Sequence, residues 1–193
     1  MNIAIIKYNA GNIMSVQYAL ARLGYEAVVT DNPGYIRHAD RVIFPGVGEA
    51  STTMAFLKKH GFDELLRELS QPVLGICLGQ QLMCTHSTEG DTDCIGIFDV
   101  EVKRFEARMK VPHIGWNSLA KTTGRLFAGI PDNSYVYFVH SYYVPVCSST
   151  AAECEYITPF SAALEKDNFF ATQFHPEKSG EVGQKILENF IQL

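Results

Sequence analysis

Residues 72–83, PVLGICLGQQLM, constrain the fold of this chain more tightly than any other stretch. An apolar run, Val73-Leu74-Gly75-Ile76, leads into Cys77, and Leu78-Gly79 opens a helical pattern. A run of that length suits a strand buried in the centre of a parallel sheet. The small residues on either side of Cys77 permit a sharp turn from strand into helix, the geometry of a nucleophile elbow with Cys in place of Ser. Such a turn raises the sulfur at the C-terminal edge of the sheet. It also aims the sulfur at the start of the helix, whose partial positive charge favours thiolate. Cysteine is equally an ordinary core residue. The flanking glycines and the downstream residues decide for the nucleophile.

The segments around this stretch predict the sheet it belongs to. Ile3 to Ile6 form an apolar run, and Ile13, Val16, Leu20 and Leu23 then recur at helical spacing. Asn12 is the expected N-cap of that helix and Gly24 its stop. Ala27-Val28-Val29 reads as a second strand and Val42-Ile43-Phe44 as a third, while Phe62, Leu65, Leu66 and Leu69 share one helical face. Strands alternating with helices predict a doubly wound, mostly parallel α/β sheet with helices on both faces. Ligands of such sheets bind beyond the carboxyl ends of the strands, which is where Cys77 falls.

Beyond Cys94 the pattern changes. Phe98, Val100 and Val102 alternate with Asp99, Glu101 and Lys103, as in a half-buried strand. Further strands are expected around Ile114 and in residues 135–144, 152–156 and 169–174, giving a meandering antiparallel C-terminal half. Val182, Ile186, Leu187, Phe190 and Ile191 form the apolar face of a closing helix. One α/β domain over residues 1–193 is the expectation.

A cysteine nucleophile needs a base within hydrogen-bond reach, and the base needs an orienting group. His175 and Glu177, in Gln173-Phe174-His175-Pro176-Glu177, supply both types two positions apart. On an extended segment such residues share one side, although Pro176 is expected to end the strand there. Thiolate attack on an amide also needs backbone N–H donors for the oxyanion. Leu78, just after the nucleophile, offers one. Phe44-Pro45-Gly46-Val47-Gly48 offers the other, since glycines let the backbone approach a ligand closely.

GICLGQQ and QFHPEKSG together resemble the class I (triad) glutamine amidotransferases. That resemblance implies the family's flavodoxin-like, three-layer fold and glutaminase chemistry, with Cys77, His175 and Glu177 as nucleophile, base and orienting acid. It implies an oxyanion hole at Val47, Gly48 and Leu78. Glutamine would be bound by Gly48, Gln81, Glu89, Ser141 and Tyr142, with Glu89 facing the substrate ammonium. Three segments, AGNIMSV, VPHIGWN and YFVHSY, are similar to those of imidazole glycerol phosphate synthase glutaminases. This implies a (β/α)₈-barrel cyclase as partner in a heterodimer and a place in histidine biosynthesis. The contact face would carry Asn12, Pro112, His113, Trp116 and Lys178, with Trp116 as anchor. With no synthase segment in the sequence, a subunit is expected. Lys7 and Gln80 depart from the family's usual Asp and Met, and both are expected near strand ends facing the site. Two alternatives stay open: a glutaminase serving another synthase, and a non-catalytic α/β protein using Cys77 as a redox sensor.

Composition excludes other classes. The chain has 193 residues, 47% apolar and 19% charged, with a net charge of −5 and scattered Lys and Arg, so no nucleic-acid or anionic-membrane surface is expected. No run approaches the roughly eighteen apolar residues of a membrane span, and MNIAIIKY lacks the features of a signal peptide. A cytoplasmic protein is expected. Cys77, Cys84, Cys94, Cys147 and Cys154 form neither a CxxC pair nor a zinc grouping, so no metal or cofactor is predicted.

Overall fold

The computed structural model describes residues 1–8 and 13–193. The first part of the chain runs β1 (Ile3–Ile6), α1 (Ile13–Arg22), β2 (Ala27–Thr30), α2 (Pro33–His38), β3 (Arg41–Gly46), α3 (Ala50–His60), α4 (Phe62–Glu68), β4 (Val73–Cys77) and α5 (Leu78–Leu82). The second part runs β5 (Cys84–Ser87), β6 (Thr92–Asp93), β7 (Phe98–Arg104), β8 (His113–Ser118), β9 (Tyr135–His140), β10 (Tyr142–Tyr143), β11 (Thr150–Glu155), β12 (Pro159–Lys166), β13 (Phe169–Thr172) and α6 (Gly180–Gln192).

The main sheet has seven strands in the order β11-β12-β13-β4-β3-β1-β2. The strands from β2 to β13 pair in parallel, and β12 and β11 continue the sheet antiparallel. Alternate side chains of β1 enter two separate cores, as a pleated strand requires. Ile3 and Ile5 pack with Val16 and Leu20 of α1 and Phe190 of α6. Ala4 and Ile6 pack on the other side with Ile36, Leu57, Leu66 and Leu82 from α2, α3, α4 and α5. Helices therefore cover both faces, and the doubly wound arrangement is borne out.

Register places the site. Gly46 pairs with Cys77 at the ends of β3 and β4, and Thr172 of β13 pairs with Ile76. Three strand ends thus meet around the sulfur: the turn after β3, the elbow after β4 and the segment after β13. A small sheet, β10-β7-β5-β6, and the hairpin β8-β9 wall this edge.

Several local expectations need correction. His175 and Glu177 do not lie on a strand: β13 stops at Thr172, and Pro176–Lys178 form a 3-10 turn. Proline favours such a start because its φ is already set and no N–H is needed there. The helix after Cys77 is only five residues long, so little macrodipole is available to the sulfur. The six-residue α2 and the strand β12 were not foreseen, although Asn32 caps α2 by accepting from Gly34 N and Tyr35 N. Gln80 does not face the site. It is fully buried, and its Nε2 donates to the Ser161 carbonyl of β12 at 3.1 Å. Lys7 is exposed, 4.0 Å from Asp31.

Candidate active site

Cys77 sits in a conformation that an L-residue rarely adopts, φ 56° and ψ −108°. Strain of this kind persists only where packing over-determines the backbone. Here three glycines do so. A Cβ on Gly79 would lie 2.1 Å from the Phe44 carbonyl oxygen, and one on Gly46 would lie 2.7 Å from Gly79 N. One on Gly75 would lie 2.8 Å from Met83 Sδ. The close approach of β3, β4 and α5 is therefore possible only without side chains. Tyr8 braces the same corner by donating to the Pro45 carbonyl, and burial raises its phenol pKa further.

The candidate base and acid meet beside the sulfur. His175 Nδ1 and Glu177 Oε1 are 2.7 Å apart, with side chains 2% and 0% exposed. Burial pulls the His175 pKa down, but the Cys77 sulfur and the Glu177 carboxylate outweigh it and raise it to about 10. A proton surrendered by the thiol thus has a receiver with a counter-charge behind it. His175 Nε2, on the side away from Glu177, is buried and has no hydrogen-bond partner among the described residues other than the Cys77 sulfur that raises its pKa. Two main-chain anchors hold the turn: His175 N donates to the Tyr137 carbonyl at 2.9 Å, and Tyr137 N donates to Ser179 Oγ at 2.9 Å. Ser179 Oγ in turn donates to the His175 carbonyl at 2.7 Å.

These groups open on one cavity of about 330 Å³, lined by Val47, Gly48, Cys77, Leu78, Gln81, Glu89, Pro112, Val139, His140, Ser141, Tyr142 and His175. That volume is at the small end of the ~300–1,000 Å³ typical of small-molecule sites. Val47, Gly48 and Leu78, expected at the oxyanion hole, all line it, as do Gln81, Glu89, Ser141 and Tyr142. Gly48 has φ 119°, which suits glycine alone. Glu89 Oε2 accepts from Ala50 N at 2.8 Å. Burial raises the Glu89 pKa, the Ala50 N–H opposes this, and Glu49 adds to it. A half-buried carboxylate at a cavity wall is suited to a ligand cation.

Sequence reasoning missed the polar layer beneath the cavity. Gln81 Nε2 donates to the Tyr142 carbonyl at 3.0 Å and to Gln173 Oε1 at 2.9 Å, and Gln173 Nε2 stands 3.7 Å from Cys77 Sγ. His140 Nδ1 donates to the same Tyr142 carbonyl at 2.8 Å, so its Nε2 is an acceptor for His113 Nδ1, 3.1 Å away. Both rings are neutral: burial lowers His113 to about 4, and burial, against the Tyr142 carbonyl, lowers His140 to about 3. Gln81 and Tyr142 were expected as glutamine ligands and His113 as a partner contact, while Gln173 and His140 stood inside the motifs without a role.

The comparisons with known proteins fit this geometry. Residues 4–193 match the model of the family described as glutamine amidotransferase class-I. Proteins named imidazole glycerol phosphate synthase subunit HisH, from Bacteroides thetaiotaomicron and Bacteroides fragilis, are 62% and 63% identical over the whole of both chains. The protein of that name from Yersinia pseudotuberculosis is 44% identical, again over both full lengths. The chain belongs to the class I glutamine amidotransferases, in their HisH family. Solved structures share the amidotransferase fold at low identity. One described as a glutamine amidotransferase superposes with a TM-score of 0.76 at 18% identity, covering 98% of this chain and 97% of that one. PurLQS from Thermotoga maritima gives 0.74 at 14%, covering 99% and 97%.

The residues expected to face a partner are divided in this amidotransferase. Trp116 is 55% exposed and lies edge-on to Tyr137, its register partner across the β8-β9 hairpin. Lys178 is exposed on the 3-10 turn Pro176–Lys178. The Trp116 ring lies near the start of α6, since a Cβ on Gly180 would be 4.0 Å from it. Pro112 lines the cavity instead. His113 is buried, stacked on Tyr156 at 4.1 Å and on Phe138 at 4.9 Å, so it is packed inside and not presented to a partner. Asn12 lies outside the described residues. No helix among the described residues is long and apolar enough to cross a membrane, and none of them form a metal-binding cluster.

Proposed function

We propose that this amidotransferase is the glutaminase subunit of an imidazole glycerol phosphate synthase. It releases ammonia from L-glutamine for a (β/α)₈-barrel cyclase partner in the cytoplasm. The observation that carries the catalytic reading is the buried His175–Glu177 contact at 2.7 Å, opening on the same cavity as Cys77. A redox sensor needs only the thiolate, and has no use for the cavity lined by Val47, Gly48, Leu78 and Glu89 beside it. The relatives named HisH favour the imidazole glycerol phosphate pathway over other synthases.

In this reading Cys77 Sγ attacks the side-chain amide carbon of glutamine, and its proton passes to His175 Nε2. Glu177 orients the ring and balances its charge. The amides at Leu78 and the 47–48 turn hold the oxyanion. Collapse breaks the carbon–nitrogen bond, His175 returns its proton to the leaving nitrogen, and ammonia departs. A water then attacks the thioester with His175 as base, releasing glutamate and restoring the thiol. Glu89 pairs with the substrate ammonium, and Ser141 and Tyr142 line the same cavity.

Free ammonia at neutral pH is mostly protonated and lost to solvent, so release is useful only beside a consuming synthase. The test is glutamate formation from glutamine, measured with and without the cognate cyclase and its nucleotide ligand. Turnover that the cyclase and its ligand raise is the expected result. No glutamate under any of these conditions overturns the reading.

A further inference from the structure

Below the cavity the hydrogen bonds run in a fixed direction. The Tyr142 carbonyl is an acceptor that cannot become a donor, and it accepts from both Gln81 Nε2 and His140 Nδ1. An amide turned the other way would set oxygen against oxygen, so the Gln81 orientation is determined. Gln81 spends its second N–H on Gln173 Oε1, which determines Gln173 in turn. Gln173 is fully buried, and the end it leaves over, Nε2, faces Cys77 Sγ at 3.7 Å. The thiol also has an acceptor nearby, the Val139 carbonyl at 3.8 Å, which suits the protonated sulfur. The Gln173 N–H suits the ionised one, because hydrogen bonds to a charged acceptor are the stronger kind.

We infer that Gln173 is a donor to the nucleophile, with its N–H locked against the Cys77 sulfur by a bonding order that begins at the Tyr142 carbonyl. It stabilises the sulfur as the proton leaves, as a neutral donor. The inference rests on Cys77 being the nucleophile, as proposed above, and names a residue outside the Cys-His-Glu set. Tyr8 and His175 both feel the charge on Cys77, and neither is altered in the test.

The experiment follows alkylation of Cys77 by iodoacetamide in the full-length protein, read by mass spectrometry of its peptide, at pH 7 and pH 10. Gln173→Met removes the donor at similar volume, and Gln173→Glu puts an acceptor against the sulfur. At pH 7 the Met variant is expected to react about tenfold more slowly than the wild type, the worth of one hydrogen bond to a charged acceptor, and the Glu variant more slowly still. At pH 10 all three are expected to converge. Cys84 is fully buried, so its protection in the same spectra reports an intact fold. Wild-type rates at pH 7 overturn the inference. So does an equal loss at both pH values, the mark of blocked access. Should both variants expose Cys84, Gln81→Leu releases the Gln173 amide from its anchor, and a wild-type rate at pH 7 there overturns the inference equally. A wild-type protein that alkylates normally but ignores a glutamine-mimicking electrophile would instead sink the glutaminase reading.

Discussion

The α-carbon of Gly79 lies against the main-chain carbonyl of Phe44, so closely that a methyl group would sit 2.1 Å from that oxygen. This contact sets how near α5 comes to β3, and through it how Cys77 is presented between them. Gly79→Ala forces two main chains apart, and overpacking of this kind costs about 1–3 kcal/mol. The expected result is a thermal midpoint lowered by about 3–10 °C, together with loss of Cys77 labelling by a glutamine analogue. A variant that melts and labels like the wild type would show that close packing does not hold the elbow.

Substitutions in the candidate triad separate chemistry from structure. Cys77→Ala is expected to abolish glutamine-dependent synthesis while synthesis from added ammonia, through the cyclase, survives. His175→Ala is expected to lower glutaminase turnover by about 10²–10⁴-fold, the usual worth of general acid–base catalysis. Glu177→Gln is expected to be milder, since Glu177 orients the ring and does not exchange protons with substrate. Steady-state turnover of the three variants against both nitrogen sources checks the roles. Equal loss with glutamine and with ammonia would make Cys77 structural.

The elbow was legible because every signal agreed. The apolar run 73–76 suited a central strand, and Gly75 and Gly79 flank one cysteine. The His175–Glu177 contact was legible by residue type but not by local shape, since a 3-10 turn brings the two together where alternation along a strand was expected. Strand β12 was missed because its buried centre is Ser161-Ala162-Ala163, small residues with weak strand preference. Helix α2 was missed because six residues carry almost no periodicity. The Gln81–Gln173 contact spans 92 positions, so no local pattern encodes it. His113 was assigned to a surface by its neighbours, and stacking on Tyr156 and Phe138 drew it inside instead.

Trp116 gives a test of the partner face. More than half exposed, it contributes little to the core of the free subunit but offers a large apolar anchor. Trp116→Ala is expected to weaken binding of the cognate cyclase by about tenfold or more, with the melting temperature of the free chain nearly unchanged. Calorimetric titration and a thermal melt give both numbers. Lys178→Ala is expected to reduce cyclase-stimulated turnover more than binding, because it lies on the triad turn itself. An unchanged dissociation constant for the Trp116 variant would move the dock elsewhere.

The buried imidazoles set an acid limit on stability. His113 and His140 have pKa values lowered in the fold to about 4 and about 3, against about 6.5 in the unfolded chain. Between those values the unfolded state binds more protons, so stability rises with pH there and is lost as pH falls below about 6.5. Each ring accounts for about 2 kcal/mol of loss by pH 5. His113→Phe keeps the stacking partners but removes one titrating group and one donor to His140. It is expected to be less stable than the wild type at pH 7, by about 1–3 kcal/mol, yet to lose less on going to pH 5. Urea denaturation at the two pH values measures the difference, and parallel losses in both proteins would refute it.

The Tyr142 carbonyl, accepting from Gln81 and His140 together, has a consequence for how this site can change over time. The atom that sets the polarity of the layer belongs to no side chain. Any residue at position 142 that keeps the same chain path transmits it unaltered, so the arrangement is inherited through geometry and leaves no signature in an alphabet of side chains. Exchanging the phenol costs its packing against the core but leaves the same arrow of donors and acceptors in place. A single reversed peptide at that point would erase it with no substitution at all.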